Sequence, residues 1–89
     1  MAEIYAYKYL AASGQVKAGP GVIHSVLLQG GSANSTATIY DETSGSGDVI
    51  AVIAAVLASS ESVVLDVAFG VGCYVTLAGT GAKATVAYR

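Results

Sequence analysis

The sequence predicts an all-β fold: a small antiparallel β-sandwich or jelly roll of about seven strands with an extended N-terminal arm. Three observations predict it. Apolar and β-branched residues recur with period two in short runs, as half-buried strands require. Glycine- and serine-rich turns separate these runs every eight to twelve residues, the spacing of all-β sandwiches and barrels. One segment alone carries a competing helical pattern. Residues 1–12 read as an arm or first strand, and 13–89 as a single sandwich domain.

The balance of apolar and charged residues sets the second expectation. Hydrophobic residues make up 54% of the chain and charged residues 11%, against roughly 25% charged in an ordinary soluble domain. A chain of 8.8 kDa should fold to a surface of about 4,800 Å² and bury roughly three fifths of what it exposes when extended. So small a core cannot take in every apolar side chain, and the surplus is expected to face other subunits. Self-association is therefore expected.

Taken in order, Tyr5, Tyr7 and Tyr9 alternate with Ala6 and Lys8, which puts three rings on one side of an extended segment. They either pack on their own sheet or form an arm laid on a neighbouring subunit, where tyrosine's apolar ring and polar tip are favoured. Ala12-Ser13-Gly14-Gln15 turns the chain, and Val16-Lys17-Ala18 is at most a short edge piece before Pro20. Ala18-Gly19-Pro20-Gly21 is a tight turn, because proline fixes its own φ and restricts the residue before it. A strand follows from Val22 to Leu28. Strict alternation places Ile23, Ser25 and Leu27 on one face and Val22, His24, Val26 and Leu28 on the other, so a strand covered on both sides is expected.

Beyond the Gly30-Gly31-Ser32 loop, Ser35 to Asp41 alternates Thr36, Thr38 and Tyr40 against Ala37 and Ile39, a half-exposed strand. A polar loop, Glu42 to Asp48, precedes the ambiguous segment. Val49, Ile50, Val52, Ile53, Val56 and Leu57 fit a helical spacing with Asp48 as N-cap. The β-branched first half and the neighbouring strands favour a strand from Asp48 to about Ala54, followed by a loop. Glu61 to Phe69 alternates cleanly, with Val63, Leu65, Val67 and Phe69 on one face, and reads as a core strand. Cys73 to Ala78 and Lys83 to Arg89 complete the set, with Gly70-Val71-Gly72 and Gly79-Thr80-Gly81 expected as hairpin turns.

No catalytic, cofactor-binding or metal-ligating set is expected. His24, the sole histidine, adjoins Ser25, but adjacent strand residues point to opposite faces and cannot serve as base and nucleophile. Asp41, Glu42 and Asp48 border one loop, yet Thr43 and Gly45 stand where a calcium loop prefers oxygen ligands. Neither glycine-rich run continues as a phosphate-cradling motif does. Four basic residues and a net charge of −2 leave no footprint for nucleic acid. Cys73 stands alone and is expected as a buried thiol. The longest apolar run, Val49 to Ala58, is about half of a membrane-spanning helix, and the first residues lack the pattern of a signal peptide, so neither membrane nor leader is expected. Carbohydrate binding through tyrosines is a rival reading, weakened by the absence of tryptophan.

Three stretches, SGQVKAGPGVIHSVLL, TATIYDETSGSGDVIA and LDVAFGVGCYVTLAGTGAKATVAYR, together resemble a family of small all-β proteins from the structural gene clusters of tailed bacteriophages. The most specific part is glycine-proline-glycine followed by a hydrophobic pair and His24-Ser25, then Tyr40-Asp41 before a serine-glycine loop. The resemblance implies a non-enzymatic virion protein made in the host cytoplasm, with the major capsid protein or other virion proteins as partners. Among virion roles, capsid decoration or cement is expected, with a tail, head-fibre or connector module as the alternative. Tyr5, Tyr7, Tyr9, Val22, His24, Val26 and Leu28 are the candidate interface.

Overall fold

A computed structural model describes residues 5–45 and 47–89. It contains eight strands: β1 (Ala6–Leu10), β2 (Gly14–Ala18), β3 (Gly21–Gln29), β4 (Ser35–Tyr40), β5 (Val49–Ala55), β6 (Ser60–Phe69), β7 (Gly72–Ala78) and β8 (Lys83–Tyr88). They form two four-stranded antiparallel sheets, ordered β1-β8-β3-β6 (sheet A) and β2-β7-β4-β5 (sheet B).

The order has a simple physical origin. The chain pairs as one long hairpin bent at the β4–β5 loop, with β4 on β5, β3 on β6, β2 on β7 and β1 on β8. Rolling that hairpin adds the pairs β3·β8 and β4·β7 and closes the two sheets over a common core. This is the strand order of an eight-stranded jelly roll. The molecule is flattened, 36 × 32 × 17 Å, its thickness set by two sheets stacked about 10 Å apart.

Both sheets contribute equally to the core. Leu10, Ile23, Val26, Leu28, Phe69, Ala84 and Val86 come from sheet A, and Val16, Ala37, Ile39, Ile53, Ala55, Cys73 and Val75 from sheet B. Ser35, the buried polar residue of β4, satisfies its hydroxyl on the Ala33 carbonyl. The expected strand between Asp48 and Ala54 is present as β5, and its helical spacing goes unused. β-branching and the β4 partner outweigh a helical face with nothing to pack against.

Four expectations need correction. β3 is not covered on both sides: a bulge at His24 relative to β8 shifts the alternation, so Ile23 joins Val26 and Leu28 inside while Leu27 lies outside. Val26 and Leu28, expected at an interface, are core residues with no exposed surface. β6 is not a core strand but the edge of sheet A, with only Phe69 fully buried. The two glycine runs are not hairpins either. Each joins strands of different sheets, because in this topology only β4 and β5 are both consecutive and paired. The segment read as an arm or first strand is a strand, β1, paired with β8.

Close approach of loops explains why Gly31 is glycine. A Cβ there would collide with the Thr80 carbonyl oxygen and the Gly81 backbone, and the Ser32 N–H already donates to Thr80 O at 3.1 Å. The contrast between core and open face is testable by urea denaturation. Leu28→Ala should lose about 2–5 kcal/mol of stability by opening a cavity between the sheets, whereas Val64→Ala, on the open face of β6, should change it by less than about 0.5 kcal/mol.

Candidate functional site

The outer face of sheet A gathers most of the surface residues singled out in the sequence. Register across the four strands gives one row of Tyr9, Thr85, Leu27 and Ser62, and a second of Tyr7, Ala87, Ser25 and Val64. The middle of the first row is Thr85 and the part-exposed Leu27, that of the second is the small pair Ala87 and Ser25, and the β1 end carries the rings. Tyr7 is 75% exposed and Tyr9 50%. The face is open and shallow, and no pocket occurs among the described residues.

At the end of this face, a clasp spans the whole sheet. His24 Nδ1 lies 2.5 Å from Asp66 Oδ1, a hydrogen bond between imidazole and carboxyl group. The Tyr5 ring stacks on the imidazole, centroids 4.3 Å apart and planes 11° from parallel. Arg89 approaches the Tyr5 ring, its Cζ 5.9 Å from the centroid, within cation–π range. A carboxylate, an imidazole, a phenol ring and a guanidinium thus stand in line. They come from β6, β3, the start of β1 and the end of β8.

Two bulges lie on this line. β3 carries an extra residue at His24 relative to β8, and β6 carries one next to Asp66 relative to β3. Asp66 takes a positive φ of 50°, the left-handed conformation that aspartate tolerates better than most residues. The β3 bulge turns His24 to the outer face, where alternation with the inward Val63, Leu65 and Phe69 already places Asp66, and the two side chains meet. Val22, on the same side, pairs with Arg89 through two backbone hydrogen bonds, 2.7 and 2.8 Å. Of the expected interface set, Tyr5, Tyr7, Tyr9, Val22 and His24 are therefore brought together, and Val26 and Leu28 are not. The contacts of Asp66 and Arg89 were not foreseen, since neither bulge leaves a mark in the alternation.

A second polar cluster lies at one end of the sandwich and is structural. The Asp41 carboxylate accepts the N–H groups of Gly70, Val71 and Gly72 at 2.8–3.3 Å, tying the β6–β7 crossing to the β4–β5 loop. These hydrogen bonds, from Gly70 first and Val71 next, hold its pKa below the ordinary 3.8. The same carboxylate, considered above with Glu42 and Asp48 for calcium, has its oxygens turned to backbone amides. No three acidic, histidine or cysteine side chains come together among the described residues. Burial pushes the Cys73 thiol up to about 11, with the Asp41 charge adding to it, so Cys73 is a protonated core thiol.

Comparison with family models, curated proteins and solved structures gives no significant match. The site is thus described by its own geometry.

The depressed pKa of Asp41 gives a signed expectation. The anion is favoured in the folded state, so its contribution is fully present above 3.8 and is lost as pH falls through the lower folded value. Asp41→Asn should be less stable than wild type by a constant margin above about pH 5, and the margin should close in more acidic solution. Thermal melts from pH 2 to 7 check this. A margin that stays constant down to pH 2 would contradict it.

Proposed function

We propose that this chain is a non-enzymatic structural subunit of a tailed-bacteriophage virion, a decoration or cement protein that holds capsid subunits together through its tyrosine-bearing face. The observation that carries the reading is the outer face of sheet A. Tyr7 and Tyr9 stand largely exposed on a flat, rigid surface with small residues beside them. Tyrosine buries a large apolar ring at little cost in side-chain entropy and keeps a hydrogen-bonding tip, which is why interfaces are enriched in it. The resemblance of the three sequence stretches to phage structural proteins supplies the virion context.

Adhesion of this kind needs pre-organisation more than chemistry. The clasp of Arg89, Tyr5, His24 and Asp66 pins the start of β1, so Tyr7 and Tyr9 are presented from a strand already fixed at one end. Less ordering is then required on docking. Each contact can be weak, because many copies bound to one shell act together.

The test is cryo-electron microscopy of the virion, with binding of the purified protein to shells lacking it. Density in many copies on the icosahedral lattice, with sheet A facing the shell, is the expected result. Density confined to the tail or its vertex would transfer the same face to a fibre or connector role, and absence from particles would remove the virion reading. Tyr7→Ala and Tyr9→Ala should each weaken shell binding about tenfold or more. Their thermal stability should remain close to wild type.

A further inference from the structure

Four strands lie at sheet edges, β1 and β6 in sheet A and β2 and β5 in sheet B. An exposed edge offers unpaired backbone donors and acceptors to any other strand, and native proteins blunt it with charge, proline, short length or bulges. Three of the edges are blunted here. β1 is five residues long and carries Lys8. β2 is equally short, carries Lys17 and has a bulge between Gln15 and Lys17. β6 carries Glu61 and Asp66, and its bulge interrupts the ladder.

β5 is different. Its seven residues, VIAVIAA, include no charge, no proline and no glycine. Its single irregularity lies at the Val49 end, leaving Ala51 to Ala55 in regular register with β4. Val52 is 62% exposed and Val49 52%, and the stripe continues past the strand through Val56 at 64% and Leu57 at 52%. The turn bearing Val56 and Leu57 is fixed in place. Leu57 N–H donates to Asn34 Oδ1 at 2.9 Å, Ala58 N–H to Gly31 O at 2.9 Å, and Gly30 N–H to Ser59 O at 2.7 Å.

We propose that β5 pairs antiparallel with β5 of a second copy, joining two B sheets into one eight-stranded sheet across a two-fold axis. The occupant follows from charge. In an isologous antiparallel pairing residue i of one copy faces residue j of the other and j faces i, so a strand bearing charges of one sign sets like charges across the seam in many registers, whereas uncharged β5 does so in none. A strand without charge is self-compatible and offers nothing for a differently charged partner to read. Two-fold pairing also makes the strands antiparallel and brings the Val52 stripe of one copy beside that of the other.

Size predicts the strength. Seven residues at about 3.3 Å each along a wall 17 Å thick give a footprint of roughly 400 Å² per copy, about half of what a standard stable interface uses per partner. The dimer is therefore weak, with a dissociation constant in the micromolar range or above. It rests on the exposed β5 edge and does not require the virion reading.

Sedimentation of the full chain from roughly 1 µM to 1 mM tests it, alongside Val52→Lys, Ala54→Lys and, as a control of equal added charge on the opposite edge of the same sheet, Gln15→Lys. Wild type and Gln15→Lys should approach twice 8.8 kDa as concentration rises. Val52→Lys and Ala54→Lys should associate at least tenfold more weakly while keeping the same β-sheet circular dichroism. Hydrogen exchange at β5 amides should slow with concentration in wild type and Gln15→Lys but not in Val52→Lys or Ala54→Lys. A wild type that stays monomeric throughout, or lysine variants that associate as tightly as wild type, would overturn the proposal, whatever the outcome on shells.

Discussion

Everything in this molecule depends on one thin layer of side chains held between two sheets. Among the described residues fourteen apolar side chains form it, shared evenly by the sheets, and most are valine, isoleucine, leucine or alanine. With so little depth there is no second layer to absorb an error. Each strand must turn the correct alternate residues inward, because slipping by one position would exchange its whole buried set for its exposed set. The chain meets this demand with β-branched residues on the pleat and with bulges where the phase must change.

The bulges connect packing to surface chemistry. In β3, the extra residue at His24 lets Ile23 and Val26 both point inward although they are three apart. The displaced residue must go outward, and it lands beside Asp66, which lies outward opposite Val63, Leu65 and Phe69. The clasp across sheet A is thus a by-product of correcting the phase of the core. It also holds Tyr5 and Arg89 near one another, since both belong to it. Loop pins play the corresponding part at the ends of the sandwich. Asp41 gathers three amides, Asn34 holds the β5–β6 turn, and Ser13 Oγ accepts the Leu77 N–H at 2.8 Å. In a fold whose consecutive strands mostly change sheet, such pins do what short hairpin turns do in a meander.

How much of this was legible follows from the same physics. Strand positions were, since alternation and glycine punctuation are local signals: β4, β6, β7 and β8 begin and end within about two residues of where the pattern places them. The competition over β5 was also settled by local chemistry. Strand order and edges were not legible, because they depend on pairings between segments far apart in sequence. Glu61 to Phe69 looks like a core strand by alternation and becomes an edge only through the roll. The faces of β3 were misread for a different reason, as a bulge changes phase without changing composition. At the candidate site, Tyr5 and the two tyrosines of β1 could be read from period two, whereas the contacts of Asp66 and Arg89 required the β3 bulge and the β1·β8·β3 neighbourhood to be known.

Charge placement ties the surface to the fold. Lys8 and Lys17 sit on the two edge strands at one side of the sandwich, while the opposite side, formed by β5 and β6, carries Val49, Val52, Val56, Leu57, Val64 and Val67 with substantial exposure. The apolar surplus seen in the composition is therefore gathered more than scattered. A chain with only four basic residues has few means of guarding edges, and it spends two of them on one side. The bulge and acids of β6 guard one strand of the other. What is left is β5, whose outer edge pairs with no strand among the described residues and which is uniform enough to accept its own copy. The tyrosine face of sheet A is separate from that edge in both sheet and chemistry, so a subunit using both would have one surface for its own kind and another for a larger partner. A flat jelly roll of this size needs no interior site to act as a connector; it needs two surfaces held rigidly at a fixed angle, and the thin core supplies that rigidity.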